Sequence, residues 1–315
     1  SPPRQPRHLV CIGGGAENAE FGQVYRRFGS GVTILDVNDR LVAIEDEDVS
    51  QALRAIFEQE GISVLTGAKI LEVSRDGGDK LVTVEIQGVR QIVRGDEILL
   101  ATGRRPVVAG FGLEAAGVEY DLKKGIRVDE HLRTTAPNIW SGGDSNGAPM
   151  LAHKASYDGE IIALNAFKGA NRKADYTALP WAIFTDPPIG HVGLTEAQAR
   201  HQGYNIKIGR YQYADVGRAI TNGSEEGFCK LIVEAGTDHL LGAHIIGEHA
   251  DDIIHEAVLT MTSGATVRLL EDIRSTHIHP TLAEVIARAA EDVPKETGQA
   301  AGGAAAEARH KGGQC

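Results

Sequence analysis

The sequence predicts an α/β protein that contains a parallel sheet near its N-terminus. Within residues 9–36, an apolar strand, three glycines, a helical segment and a second apolar strand follow one another. After residue 179 the pattern changes to short strands separated by turns. The composition, with 42% hydrophobic and 24% charged residues, is ordinary for a soluble globular protein. The length of 315 residues suggests two or three domains.

The charge and the cysteine content exclude several classes of protein. A net charge of −11 argues against a nucleic-acid binder, because such proteins usually carry a basic face. No apolar run is long enough to span a bilayer, so no membrane span is expected. Cys11, Cys229 and Cys315 show neither Cys-x-x-Cys nor metal-ligand spacing, which predicts no metal site and a reducing, cytoplasmic location. Cys11 lies within an apolar strand and is expected in the core.

The glycine-rich segment near the N-terminus predicts a dinucleotide site. Residues 9–12 and 32–35 read as buried parallel strands, and residues 16–28 read as the helix between them. Gly13 permits a tight turn, and Gly15 lets the backbone approach a pyrophosphate. The N-terminus of the helix offers unpaired N–H groups and a partial positive charge to that anion.

The acidic residue after the second strand indicates which nucleotide is bound. Asp36, 23 residues after Gly13, can accept hydrogen bonds from both adenosine ribose hydroxyls and would repel a 2′-phosphate, which favours NAD over NADP. Glu20, in the helix, is also assigned to the cofactor site. The alternative is a structural strand–turn–helix with an incidental acid. Two departures from the glycine fingerprint are expected to weaken NAD binding: Asn18 should displace the helix outward or force a shift, and Glu17 should repel the pyrophosphate.

Two later segments resemble the pyridine nucleotide–disulfide oxidoreductases. Residues 98–106 are similar to the family's Ala-Thr-Gly-Arg-x-Pro junction, and this implies that Gly103 touches the nicotinamide half of NAD. Residues 135–144 resemble the second FAD motif of the family, a strand that ends in Gly-Asp. The resemblance implies that Asp144 binds the ribityl chain of FAD. Gly-Asp alone would indicate a turn, but the surrounding residues favour the FAD motif.

A third segment, residues 149–155, opens a helix and is especially similar to dihydrolipoamide dehydrogenases within this family. The resemblance implies that the backbone amides at the start of this helix face the flavin ring and stabilise negative charge on it. The residues assigned to this contact are Met150, Leu151, Ala152 and His153. For the His153 side chain itself, packing or capping is the expected role.

The segment His279-Pro280-Thr281-Leu282-Ala283-Glu284 resembles the family's His-Pro-Thr-x-x-Glu motif. Pro280 suits the start of a helix, so Glu284 should lie about one turn along and contact the His279 ring. A carboxylate there raises the basicity of the imidazole, which can then exchange a proton with a thiol. One alternative is a metal pair with His277, which lacks a third ligand at suitable spacing. The other is that both histidines simply lead into the helix.

The resemblance extends to the dimer-interface domain of the family, through residues 181–188 and 242–247 and a helix predicted over 250–263. In the family the His–Glu pair serves the active site of the partner subunit, which implies a homodimer. The implied organisation is a Rossmann-like NAD-binding domain, part of an FAD-binding domain, an α+β dimerisation domain and a disordered tail. Their expected bounds are 1–105, 106–175, 176–292 and 293–315.

The leading functional expectation is an FAD- and NAD-dependent oxidoreductase similar to dihydrolipoamide dehydrogenase, with a lipoyl-bearing protein of a 2-oxoacid dehydrogenase complex as a candidate partner. The chain begins at Ser1, and these residues do not include the family's first FAD motif or its Cys-x4-Cys redox pair, so a fragment that is inactive alone is expected. Two alternatives remain. One is a flavoprotein similar to mercuric or glutathione reductase, and the other is a degenerate nucleotide-binding or dimerisation module.

Overall fold

The first third of the chain forms two stacked sheets. A computed structural model of the protein describes residues 4–272 and 276–295. The elements of this first part are β1 (His8–Ile12), α1 (Ala16–Arg27), β2 (Gly31–Leu35), α2 (Glu47–Gln59), β3 (Ser63–Leu65), β4 (Lys69–Asp76), β5 (Asp79–Ile86), β6 (Val89–Gly95) and β7 (Glu97–Leu100). Strands β1, β2, β3 and β7 form a parallel sheet in the order β3-β2-β1-β7, and β4–β6 form an antiparallel sheet.

The alternation of side chains along β1 explains how the two sheets and the helices pack. Val10 and Ile12 face the antiparallel sheet and join a cluster with Val82. Leu9 and Cys11 point to the opposite face, where α1 and α2 cover the parallel sheet. Cys11 is fully buried, as expected. Because both faces of β1 are covered, the strand is apolar throughout its inner part.

The middle of the chain contains little regular structure apart from one long helix. Its elements are β8 (Tyr120–Asp121), β9 (Gly125–Ile126), a 3₁₀ helix (Gly143–Asn146) and α3 (Ala152–Lys168). The prediction of a strand that ends at Asp144 is wrong. Only a single bridge between Arg133 and Trp140 forms there. Asn138, with φ of 62°, breaks the extended backbone, and Asp144 lies in the 3₁₀ helix instead.

The last part is an antiparallel sheet covered by helices. Its elements are β10 (Pro180–Ile183), β11 (Ile189–Gly193), α4 (Glu196–His201), β12 (Ile206–Gln212), a 3₁₀ helix (Tyr213–Asp215), α5 (Gly217–Asn222), β13 (Phe228–Glu234), β14 (Leu240–Ile246), α6 (Ala250–Ser263), α7 (Arg268–Glu271) and α8 (Glu284–Asp292). The strand order is β10-β11-β14-β13-β12. Helices α6 and α8 contribute Ile254 and Val285 to the core on this sheet.

Two boundaries near the C-terminus differ from expectation. Helix α8 begins at Glu284, four residues after Pro280, so the proline precedes the helix without opening it. Val293 is buried in the core, so the ordered chain continues past the predicted start of the tail at 293. The rest of that tail, including Cys315, lies outside the described residues from 296 onward. Over the described ranges, none of the helices combines the length and apolar character needed to cross a bilayer.

The first and last parts of the chain contact each other directly. Ile183 and Phe228 from the antiparallel sheet complete the apolar cluster beneath α1 and α2. The Gln23 side chain donates to the carbonyl of Asp186 at 2.7 Å and accepts from its N–H at 2.7 Å. A shared core and paired hydrogen bonds therefore hold the two sheets in one arrangement.

Candidate cofactor sites and acid–base pair

The turn between β1 and α1 has the geometry that the dinucleotide prediction requires. Gly13 has φ of 105°, and a Cβ there would lie 2.2 Å from the carbonyl oxygen of Ala101, so only glycine fits. Gly15 is the N-cap of α1, and a Cβ on it would meet no atom closer than 3.9 Å. The backbone at Gly15 is therefore left uncovered by neighbouring atoms, as a close contact with an anion would need.

Asp36 lies at the end of β2, as predicted, but its carboxylate already has protein partners. Oδ2 accepts a hydrogen bond from the N–H of Gly14 at 2.8 Å. Oδ1 accepts from the backbone and side-chain nitrogens of Asn38 at 3.0 and 3.1 Å. Only 6% of the residue is exposed. Asp36 therefore holds the glycine turn against the strand end, and the contact with a ribose stays a prediction.

The two departures from the glycine fingerprint are accommodated by local contacts. Asn18 was expected to displace α1, but its side chain is fully buried and donates from Nδ2 to the carbonyls of Ile12 and Gly13, each at 2.8 Å. Helix α1 still approaches the sheet closely at Gly22, where a Cβ would lie 3.2 Å from Ile34. The asparagine therefore binds the strand end by hydrogen bonds in place of close backbone packing.

Glu17 is paired with Arg104, a residue that the sequence interpretation did not assign. Nε of Arg104 donates to Oε1 of Glu17 at 2.9 Å, and its Nη1 donates to the carbonyl of Met150 at 3.3 Å. The hydrogen bond from Arg104 is the main cause that lowers the pKa of Glu17. The negative charge expected to repel a pyrophosphate is thus compensated, although both side chains are partly exposed. The position of Arg104 directly after Gly103 was the available signal.

Glu20 and Gly103 complete the residues assigned to the nicotinamide nucleotide. Oε1 of Glu20 accepts a hydrogen bond from the N–H of Phe184 at 2.9 Å, so this carboxylate joins α1 to the loop after β10. That contact engages Glu20 with the protein's own backbone. Gly103 has φ of 118° and open space around its Cα, as a loop that borders a ligand requires.

Asp144 is held in place by a buried ion pair behind it. Asp158 and Lys154, on the same face of α3, have side chains exposed by 0% and 2% and are 2.9 Å apart. Oδ2 of Asp158 also accepts from the N–H of Gly143 at 2.8 Å, and Nζ of Lys154 donates to Oδ1 of Asn146 at 2.7 Å. Both ends of the 3₁₀ helix that carries exposed Asp144 are therefore fixed to α3.

The carboxylate of Asp158 stays ionised inside this network. Burial alone would raise its pKa, but hydrogen bonds from Tyr176, Lys154 and the Gly143 amide outweigh that effect and lower it. The hydroxyl of Tyr176 donates to Oδ1 at 2.7 Å. This network was missed in the sequence, although Lys154 and Asp158 have the i, i+4 spacing of a helical ion pair.

The start of α3 presents backbone amides that no helical bond uses, and their contact with a flavin stays a prediction. Leu151 is the N-cap in extended conformation, and the first helical bond runs from the Ala155 N–H to its carbonyl. The amides of residues 152–154 precede that bond. Nε2 of His153 lies 2.7 Å from the carbonyl of Pro180, which agrees with a packing role for this side chain. Arg104 connects this helix start, through Met150, to the glycine turn.

His279 and Glu284 form the predicted pair. Nδ1 of His279 lies 3.0 and 3.2 Å from the two carboxylate oxygens, and the N–H of Thr281 donates to Oε2 at 3.0 Å. Burial raises the pKa of Glu284, but the hydrogen bonds from His279 and Thr281 outweigh it and lower that pKa. His279 has a side chain 77% exposed, so the ring is open to a reactant. His277 instead pairs with Glu256 at 2.9 Å, so each of the two histidines has its own carboxylate partner.

Comparison with known proteins finds relatives over nearly the whole chain. A model described as pyridine nucleotide-disulphide oxidoreductase matches residues 1–159, and the dimerisation domain of the same family matches residues 179–290. A dihydrolipoyl dehydrogenase of Thermus scotoductus is 40% identical over 294 residues, which cover 92% of this chain and 63% of that protein. A mercuric reductase of Streptomyces lividans is 41% identical over 286 residues, with coverages of 91% and 60%.

Solved structures give the same result for the fold. LpdA from Mycobacterium tuberculosis superimposes with a TM-score of 0.83 at 26% identity, covering 91% of this chain and 62% of that one. The flavoprotein disulfide reductase RclA from Escherichia coli gives a TM-score of 0.80 at 28% identity, with coverages of 92% and 65%. The chain therefore spans less than two thirds of the length of each of these relatives.

Proposed function

Because this chain belongs to the pyridine nucleotide-disulphide oxidoreductase family, we propose that it forms the NAD-binding and dimerising part of an enzyme similar to dihydrolipoamide dehydrogenase. Its homologues are FAD- and NAD(P)-dependent oxidoreductases. The observation that carries the proposal is the contact between His279 and Glu284, since an imidazole oriented by a carboxylate is suited to proton exchange with a thiol.

In this reaction the chain's own residues have separate tasks. Glu284 accepts a hydrogen bond from the Nδ1–H of His279 and fixes the ring tautomer, which leaves Nε2 as the base. His279 then removes a proton from a thiol, and the thiolate becomes the nucleophile of disulfide exchange. Because the His279 ring is exposed on its own chain, the thiol would come from another molecule or from the second subunit of a homodimer.

The same chain offers residues suited to both cofactors. Asp144 and the free amides of residues 152–154 would hold the flavin, and the uncovered backbone at Gly15, with its amide, would hold the pyrophosphate of NAD. When bound, FAD supplies the electron transfer between thiols and the nicotinamide. A lipoyl-bearing protein of a 2-oxoacid dehydrogenase complex is the partner we propose for this activity.

Mercuric reduction is the second candidate, and a specific observation favours it. Mercuric reductases from Bacillus, Streptomyces, Staphylococcus and Lysinibacillus are 35–41% identical to the chain. The dihydrolipoyl dehydrogenase of Thermus scotoductus, at 40%, lies within the same range. The oriented His279 supports the dithiol reaction, because thiol deprotonation requires a base.

The test uses the full-length protein that contains this chain, with FAD bound. We expect NAD-dependent oxidation of dihydrolipoamide, and we expect His279→Gln to lower kcat by at least about 10²-fold. Glu284→Gln should lower kcat less, because the ring remains in place. His201→Gln, which changes an exposed histidine at the end of α4, is the control and should leave kcat unchanged. Near-normal turnover of His279→Gln, or turnover with Hg²⁺ but not with dihydrolipoamide, would contradict the proposal.

A further inference from the structure

Three buried side chains outside the redox sites converge between the first and last parts of the chain. Glu45 comes from the loop before α2, His191 from β11 and His244 from β14. All three are 0% exposed. One ligand-capable atom from each lies within 4.8 Å of the other two. Two imidazoles and a carboxylate are a set of ligands that binds transition metals in proteins.

The hydrogen bonds of the two rings determine where their protons are. Nε2 of His191 lies 3.0 Å from the carbonyl of Gly193, and Nε2 of His244 lies 3.0 Å from the carbonyl of Leu194. A carbonyl only accepts hydrogen bonds, so each Nε2 carries the proton. When such a ring is neutral, its Nδ1 has a free lone pair.

These free lone pairs converge on a carboxylate. Nδ1 of His191 lies 2.8 Å from Oε2 of Glu45, and Nδ1 of His244 lies 3.9 Å from the same oxygen. Nδ1 of His244 is buried without a hydrogen-bond partner. Three acceptors that face one another without a proton or cation between them are unfavourable, because each loses its hydration and gains no partner.

Basic side chains nearby do not supply the missing positive charge. Within residues 4–272 and 276–295, the ion pairs of Glu45 are with the two imidazoles and not with lysine or arginine. The ammonium of buried Lys230 is used by Asp46 at 3.1 Å and Glu196 at 2.8 Å. Trp181 donates to Glu45 from Nε1 at 2.6 Å, but the indole is neutral. A cation at the centre of the cluster would balance the buried carboxylate.

We propose that Glu45, His191 and His244 bind a divalent ion of the zinc class, with water in the fourth position. Tetrahedral Zn²⁺ has ligands at about 2.0–2.1 Å, which places ligand atoms about 3.4 Å apart. The two separations measured from Glu45, 2.8 and 3.9 Å, bracket that value. The Nε2–H bonds to backbone carbonyls are the outer contacts that orient metal-binding histidines.

An acidic cavity lies beside this cluster, and Glu45 is the member of the cluster that lines it. Its volume is about 370 Å³, and five carboxylates line it against three basic side chains. Those carboxylates are Glu45, Asp46, Glu47, Asp48 and Glu196. An acidic lining attracts cations, so the cavity would concentrate them next to Glu45. Because Glu45 belongs to the first part of the chain and both histidines to the last, the ion would bind the two parts together.

The first experiment measures metal content in the full-length protein with its cofactors bound. After incubation with Zn²⁺ and dialysis, we expect about one tightly bound zinc per chain. His244→Asn and Glu45→Gln should each weaken binding at least about tenfold. His249→Gln is the matched control, because His249 also pairs with a carboxylate, Asp252 at 3.4 Å, but on the surface. Equal zinc content in wild type and the His244→Asn and Glu45→Gln variants would overturn the assignment.

The second experiment needs no variant and therefore does not depend on whether one folds. Removal of zinc with a chelator should lower the unfolding midpoint, and added Zn²⁺ should restore it in a concentration-dependent way. Co²⁺ bound in place of zinc should quench the fluorescence of Trp181, whose ring stacks on His191 at 3.6 Å between centroids. A wild-type midpoint that changes neither with chelator nor with added Zn²⁺ would mean that a proton occupies the cluster, and it would refute the metal site.

Discussion

The buried carboxylate of Asp158 should control the local stability of the segment that carries Asp144. Asp158→Asn keeps the size of the side chain but removes its charge. Asn has one acceptor oxygen, whereas Asp158 accepts from the Gly143 amide, the Lys154 ammonium and the Tyr176 hydroxyl. Its amide nitrogen would therefore face donors, and Lys154, with a side chain only 2% exposed, would lose its counter-ion.

The expected cost follows from these contacts. Loss of one member of a buried ion pair costs about 3–5 kcal/mol, and a hydrogen bond to a charged group contributes about 1.5–3 kcal/mol. Because Asn retains one acceptor, we expect about 3 kcal/mol of local destabilisation. This corresponds to an increase of about 10²-fold in amide exchange of the Gly143–Asn146 segment, if exchange occurs by local opening.

Amide hydrogen exchange of the full-length protein is the direct measurement. Glu160→Gln is the control, because Glu160 is an exposed carboxylate on the same helix, two residues further along. In Glu160→Gln, the free energy of opening of the Gly143–Asn146 segment should match that of wild type within about 0.5 kcal/mol, as expected for a surface substitution. The flavin should also be released more readily from Asp158→Asn if Asp144 binds it as proposed. Unchanged exchange at Gly143 in Asp158→Asn, or an equal change in both variants, would refute the reasoning.

Three further predictions concern the glycine turn and the pH dependence of the buried network. Gly13→Ala should abolish NAD binding and lower the unfolding midpoint, because its Cβ would lie 2.2 Å from the Ala101 oxygen at a positive φ; a wild-type dissociation constant would contradict this. Glu17→Gln should strengthen NAD binding about two- to fivefold, since it removes a carboxylate from the first turn of α1 and leaves Arg104 free for the pyrophosphate; equal constants by titration would exclude that role. The pKa of Asp158 is lowered in the fold, so its stabilisation is present above the unfolded value of about 3.9 and is lost as the pH falls through the lower folded value. The stability difference between wild type and Asp158→Asn should therefore narrow below about pH 4, and a constant difference between pH 7 and pH 3 would be inconsistent with it.

Sequence patterns predicted the elements whose signals are local. The first two strands and the helix between them begin and end within one residue of their expected bounds, and α6 has the bounds that were expected, 250–263. An apolar run or a glycine acts on its immediate neighbours, so it can be recognised without the rest of the fold. The contact between His279 and Glu284 was predictable for the same reason, because the two residues are only five positions apart.

Local patterns failed where pairing or capping decided the outcome. The motif before Asp144 was expected to be a strand, but a strand requires a partner along its length, and Asn138 turns the chain out of the extended conformation. Pro280 was expected to open a helix, yet the side chain of Glu284 bonds back to Thr281, and the helix starts only at Glu284. Both outcomes depend on which neighbouring groups form hydrogen bonds with the backbone N–H and C=O groups.

The sequence by itself determined the first two strands with the helix between them, the glycine turn and the contact between His279 and Glu284. Only the tertiary structure decided that Arg104 neutralises Glu17, 87 residues away, and that Glu45 meets His191, 146 residues away. Polar side chains give no periodic signal of partners that are distant in sequence, because a hydrogen bond or ion pair requires two atoms to meet within about 3 Å. That distance is set by how the sheets and helices pack, and packing is a property of the whole chain.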